Sequence, residues 1–309
     1  MKPVLPAHLT AISNPRALLA IALDWTLIAA CFVAAIRFPH PLVFVLSAIL
    51  IARTQLALAV LMHESAHGTL LSNRRLNDIA GQLFAAAPLL MVMDFYRSGH
   101  LQHHRAPMAP DDPVATIFGI DDYPVTRREL QWRLFKDATG IGYFLSVRKL
   151  ARSRRDGAKP PPQQQPGRHL QRFYAIFSIV AVQGMMIGLL ALAGHAALYA
   201  GLWILPAVTL LPLFGRIRAI TEHAGYPQTE DQRLSARTVV GRSWQTFFVG
   251  PHRIHYHIEH HEYPRVPFYR LHQLHALMAR EGRLPVANLY RSYGQVLKDA
   301  SRLAPASKQ

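Results

Sequence analysis

Seventeen of the 309 residues are histidine, and eight of these stand in three short clusters. They are His63-Glu64-Ser65-Ala66-His67, His100-Leu101-Gln102-His103-His104 and His257-Ile258-Glu259-His260-His261. On a helix, positions i, i+3 and i+4 share a face, so each cluster aims two or three imidazoles at one place, which is the spacing of a metal-ligand stripe. Random placement of this many histidines would give about 0.05 occurrences of HxxHH per chain, and the sequence holds two. His8, His40, His169, His195, His272 and His275 follow no such pattern and read as surface or interface residues. His252 and His255, just ahead of the third box, stay open.

Eight imidazoles are too many for one tetrahedral zinc ion but suit two metal ions with octahedral-leaning shells. An all-nitrogen shell favours iron among redox-active metals. Cys31 is the only cysteine, so a disulfide, a thiolate zinc or iron-sulfur site and c-type haem attachment are excluded. Imidazoles without bridging carboxylates distinguish this pattern from the soluble di-iron bundles, which use Glu-x-x-His motifs. Two irons beside apolar helices would activate oxygen against a C–H bond, with no catalytic group beyond the ligands. The first box also satisfies HExxH, the zinc protease motif with Glu64 as general base, but that reading leaves two boxes unexplained. A metal transporter would need ligands within the bilayer.

The elements that position these boxes are apolar. Half of the residues are hydrophobic and only 17% charged. Residues 173–215 form a run of 43 without Asp, Glu, Lys or Arg, about twice the roughly 20 that one spanning helix needs. A second apolar stretch, from 17 to 62, is interrupted by Arg37, Pro39, His40 and Pro41. Four spans are expected, at about 17–36, 42–62, 173–193 and 196–215, paired in two hairpins. The span at 17–36 holds Asp24 and Trp25 and leads straight into another span, which argues against a cleaved signal peptide. Residues 97–172 carry 14 Lys and Arg, against Arg37 alone at the hairpin tips, so the positive-inside rule puts both termini and the boxes on the cytoplasmic side of a cell inner membrane. The net charge of +16 then reads as topology and anionic lipid contact, not nucleic-acid binding. The apolar segment 79–95 cannot cross if the first two boxes act together, so it must lie in the interface or re-enter. The Pro- and Gln-rich tract at 157–168 reads as a flexible linker that tolerates shortening.

The order HxxxH, HxxHH, apolar hairpin, HxxHH resembles the membrane fatty acid desaturase and hydroxylase superfamily, which includes carotenoid ketolases and hydroxylases. Asp111-Asp112-Pro113 after the second box and Tyr256 to Pro267 around the third are similar to its wording. The resemblance implies a further ligand after the last span, at His223, giving nine: His63, His67, His100, His103, His104, His223, His257, His260 and His261. It also implies carboxylates that orient ligands, at Glu64, Asp111, Asp112, Glu222 and Glu259. The same resemblance implies an all-α integral membrane fold, one domain over 1–309 with a histidine-rich metal-binding cap, and two iron ions as cofactor. The implied activity is an oxygenase, first a fatty acyl desaturase and otherwise a hydroxylase or ketolase, with a membrane lipid or acyl substrate. No cytochrome b5, flavin or nicotinamide motif is present, so electrons are expected from a ferredoxin-like donor on the basic face.

Asp24 and Arg53 are charges where a bilayer should forbid them. Asp24 lies about 12 Å along the first span from Arg16 and Arg53 about 15 Å before His63, at 1.5 Å per residue. Similar depth predicts an ion pair between the first two helices.

Overall fold

The computed structural model describes residues 3–155, 168–241 and 243–302; the tract expected as a linker falls outside them up to residue 167. Helix α1 (Asn14–Arg37) starts with Pro15 in its first turn, where a missing N–H leaves no bond unmade. After residues 38–40, α2 (Pro41–His67) begins, with His40 Nδ1 accepting from the Leu42 N–H at 3.2 Å. The two helices bury Ala17, Ile21 and Ile28 against Ile51, Leu58 and Leu61. Leu18, Leu19 and Leu23 stay more than half exposed on the outer face, as a lipid-facing surface requires. α2 runs past residue 62, where its span was expected to stop, and carries the first box on its last turn. It ends only at Gly68, whose φ of +74° is the left-handed cap that glycine adopts without strain.

The apolar segment between the first two boxes is sharply bent, not one straight helix. Helix α3 (Arg74–Ala80) passes into a π-helical turn (Gly81–Ala86) and a 3-10 turn (Ala87–Leu89). Helix α4 (Met93–Arg105) then leaves at 94° to that run. Such a break frees backbone groups that lipid cannot satisfy. Glutamines supply the missing partners: Gln183 Nε2 donates to the Ala87 and Pro88 carbonyls at 2.9 Å each, and Gln82 Oε1 accepts from the Met93 N–H at 3.0 Å. Tyr199 Oη donates to Gln183 Oε1 at 2.6 Å. At Gly81 a Cβ would sit 2.1 Å from Ser65 Oγ, so the π turn lies directly on α2 and admits no side chain there.

Helices α5 (Arg127–Ala138) and α6 (Ile141–Arg155) are followed by α7 (Arg168–Leu192). The chain turns at Gly194 and descends through a π turn (Tyr199–Ile204) and a helical turn (Leu205–Val208) into α8 (Leu210–His223). Four helical stretches are long and apolar enough to cross a membrane: Ala7–Arg37, Pro41–His67, Arg172–Leu192 and Tyr199–His223. The fourth extends beyond the expected end at 215 because its charges are paired. Arg216 bonds Asp137 on α5, and Arg218 Nε donates to Glu222 Oε1 one turn on at 2.6 Å.

Beyond α8 the chain forms β1 (Thr238–Val239), paired in parallel with β2 (Leu289–Tyr290), and helices α9 (Trp244–Val249), α10 (His257–Glu262), α11 (Leu271–Arg280) and α12 (Tyr293–Ala300). A cluster of Ile258, Leu271, Leu274, Met278 and the N-terminal Leu9 fixes α10.

Candidate metal centre

Four helix ends deliver the histidines: the last turn of α2, the second half of α4, the final residue of α8 and all of α10. Nine imidazoles converge in two groups, His63, His67, His100, His104 and His260 in one and His103, His223, His257 and His261 in the other. Within each group the ligand atoms lie within 4.8 Å of one another. The second and third boxes are split between the groups by helix geometry. At about 100° per residue, positions i and i+4 nearly eclipse while i+3 leans the other way. His100 and His104 thus share the first group and His103 falls into the second, whereas His257 and His261 share the second and His260 falls into the first. The groups abut where His104 stacks on His261, with centroids 4.3 Å apart and planes at 18°.

Two of the outward ring nitrogens are held by acceptors. His103 Nδ1 lies 2.8 Å from Asp112 Oδ2 and His223 Nδ1 lies 2.8 Å from the Ser235 carbonyl. Donation there leaves a lone pair on each Nε2, pointing inward. Asp112 is itself fixed, accepting the N–H groups of Met108 and Val114 at 2.9 Å each. Burial raises its pKa, but the His103 bond and the two amides outweigh this and hold the carboxyl below its usual value. Glu64 accepts from Thr69 Oγ1 at 2.9 Å and the Phe268 N–H at 3.1 Å, with His63 Nδ1 3.4 Å away. Glu222 Oε1 stands 3.5 Å from His257 Nδ1.

The inward nitrogens crowd together. His67 and His100 have their Nε2 atoms 2.8 Å apart, as have His223 and His257. His104 and His260 are 3.0 Å apart, and His257 and His261 3.1 Å. The edge of an octahedron with metal–nitrogen bonds of roughly 2.1 Å is about 3.0 Å, and that of a tetrahedron about 3.4 Å. Each of these pairs lies close enough for both nitrogens to ligate one ion. Burial, then neighbouring imidazoles, push His257, His260 and His261 well below the ordinary histidine value, so all three are neutral. His63 is wholly buried, and among the described residues neither of its ring nitrogens has a hydrogen-bond partner. An orphaned lone pair costs about 1–3 kcal/mol. A cation between the nitrogens removes both the orphan and the lone-pair repulsion, so the residues present fit metal ions.

Two carboxylates expected beside the ligands are turned elsewhere. Glu259 bonds Thr238 Oγ1 at 2.6 Å and His275 Nδ1. Two residues along a helix is a rotation of about 200°, so Glu259 must face away from His257 and His261. Asp111 accepts from Gln102 Nε2 at 3.0 Å, since its neighbour Asp112 takes the inward position as cap of the short helix Pro113–Phe118. Sequence reasoning missed two histidines: His275, which braces α10 through Glu259, and His252, whose Nε2 lies 2.7 Å from Asp24 Oδ2. Neither shows a spacing signal, because their partners are remote in the chain.

Comparison with known proteins matches residues 39–293 to the fatty acid desaturase family. The chain belongs to that family. All nine histidines fall within the matched stretch. The desaturase-family chain is also similar to the dihydrorhizobitoxine desaturase of Bradyrhizobium elkanii, with 29% identity over 259 residues, 82% of this chain and 72% of the relative. The protein is an oxidoreductase, and the zinc protease reading of the first box has no further support.

Proposed function

We propose that the nine histidines hold two iron ions, five imidazoles at one and four at the other, and that the protein uses oxygen and external electrons to place a double bond in an acyl chain. The observation that carries this reading is the interdigitation of the second and third boxes, which leaves two all-imidazole groups in contact through His104 and His261. Iron so bound supplies oxygen activation and hydrogen-atom removal from an unactivated methylene. The chain's own share is positional. Asp112 and the Ser235 carbonyl keep His103 and His223 with Nε2 unprotonated, and Arg218 holds the Glu222 carboxylate beside His257. The apolar helices shield the reacting carbon from water and orient it.

Both termini and the basic segment between residues 97 and 172 belong on this reading to the cytoplasmic side of a cell inner membrane, where a small acidic ferredoxin-like carrier delivers electrons. Nucleic acid has no part in it. Hydroxylation or ketolation of a lipid or carotenoid is the alternative outcome of the same chemistry. The relative is named for dihydrorhizobitoxine, so soluble metabolites belong in the test as well. Cells expressing the protein and cells expressing His261→Ala are compared for lipids, pigments and soluble metabolites. A new double bond only with the intact protein supports desaturation, and a new hydroxyl or keto group replaces it. Purified protein containing one zinc and no iron, after growth with iron, would sink the di-iron assignment.

A further inference from the structure

Helix α6 follows α5 and leaves the apolar side chains of its first turns open. Ile141, Phe144, Leu145 and Val147 are 43%, 65%, 49% and 48% exposed, far too open for a soluble surface of consecutive turns. Its composition is polarised along its length. The turns from Ile141 to Val147 are apolar, the remainder carries Arg148, Lys149, Arg152, Arg154 and Arg155, and no Asp or Glu occurs from 138 to 155. On α5, Trp132 and Phe135 stack at 5.4 Å and are half exposed, with Lys136 Nζ 5.8 Å from the Trp132 ring centre.

The corner between the two helices sits at a defined depth. A Cβ on Gly140 would lie 3.3 Å from the Val208 carbonyl, and Asp137 bonds Arg216, the first charge after the uncharged run 173–215. The arm therefore joins the fourth apolar stretch beside its first charge, at the end of the uncharged run. The seven residues from Ile141 to Val147, five of them apolar, extend about 10 Å at 1.5 Å per residue, two turns of the kind whose apolar side chains an interfacial helix buries roughly 5–10 Å deep.

We propose that the α5–α6 arm anchors the protein to an anionic leaflet, with the apolar turns of α6 in the acyl edge and Arg148 and Arg152 on phospholipid head groups. An acidic carrier protein would match the charges but not the exposed Phe144 and Ile141 turns, and the bilayer around α8 already lies within reach. This anchoring is independent of the reaction at the histidines.

The test uses the full chain with Phe144→Cys carrying an environment-sensitive fluorophore, in a Cys31→Ala background, in nanodiscs of phosphatidylcholine with or without phosphatidylglycerol. Acyl chains are brominated as quenchers. Quenching should be strong with phosphatidylglycerol present. Arg148→Gln and Arg152→Gln, both on exposed positions that do not support folding, should each lower the docked-to-free ratio about fivefold there, from about 1 kcal/mol per basic residue. A label unquenched in either nanodisc, or quenched equally with and without phosphatidylglycerol and in the substituted arms, overturns the proposal. Shielding that appears only when an acidic ferredoxin is added overturns it in favour of the carrier.

Discussion

The Asp24 carboxylate on α1 lies 3.3 Å from the Arg53 guanidinium on α2, and its other oxygen lies 2.7 Å from His252 Nε2. Arg53 also donates to the Phe247 carbonyl at 3.1 Å and lies over its ring at 4.6 Å. Equal depth along two antiparallel helices predicts the pair; the third member comes from the chain 199 residues later. Asp24→Asn leaves a buried guanidinium without its carboxylate, at a cost of about 3 kcal/mol. Arg53→Gln leaves Asp24 with His252 and should cost less. The double variant should be milder than the sum of the two, by about 0.5–3 kcal/mol. Melting in detergent measures all three, and strictly additive losses would show that the pair carries no coupling.

Asp112→Asn should lower metal affinity about 10–100-fold, because an amide no longer fixes which nitrogen of His103 carries the proton. Asp111→Asn, on the exposed neighbour, should leave affinity unchanged. Metal titration of the stripped protein separates the two. Equal effects would mean that the carboxylates act by overall charge.

His103, His104, His260 and His261 changed singly to alanine should each abolish product formation while the protein still inserts in the membrane, since the apolar stretches do not depend on them. Turnover assays on membranes with matched protein amounts check this. Residual activity in His104→Ala or His261→Ala above a tenth of the parent would show that the contact between the groups is dispensable.

Gln183→Leu strips the Ala87 and Pro88 carbonyls and the Tyr199 hydroxyl of a partner together. At about 1–3 kcal/mol per stranded group, folded yield should fall sharply, whereas Tyr199→Phe should cost about 1 kcal/mol. Fluorescence-detected size exclusion of detergent extracts reads both. Parental stability in the Gln183→Leu variant would mean that water reaches the bend.

Acid should loosen the metal-free protein. His257, His260 and His261 are neutral when folded because burial and neighbouring imidazoles depress their pKa values. The unfolded chain binds protons at them below the ordinary value of 6.5. Stability is therefore fully present above that value and falls with decreasing pH, by up to about 1.4 kcal/mol per pH unit for each imidazole. Chelator-treated protein melted from pH 7.5 to 5.5 should show a falling transition temperature. A flat profile would mean that these rings are hydrated when metal is absent.

Much of this arrangement is readable in the chain. Spacing alone puts the boxes on helix faces, and charge-free length locates the four apolar stretches. The inability of 79–95 to separate two cooperating boxes implies its return. What cannot be read is how the segment bends. A π turn, a 3-10 turn and Leu90 at φ +59° have no periodic signature, and the glutamine that satisfies their carbonyls comes from α7. The outward direction of Glu259 follows from 100° per residue, yet family wording draws attention to it as a carboxylate among histidines. Its partner His275 and the ion-pair member His252 depend on packing of distant segments, which no local pattern encodes.

The exchange of imidazoles between the second and third boxes also orders the protein's biosynthesis. His104 and His260 are 156 residues apart, and closing so long a loop is a late, entropically costly event. Until the segment through His261 has left the ribosome and returned to α4, one group lacks a member and the other lacks two. A nascent chain can therefore carry all four apolar stretches while neither histidine group is complete, so the site closes only on finished synthesis.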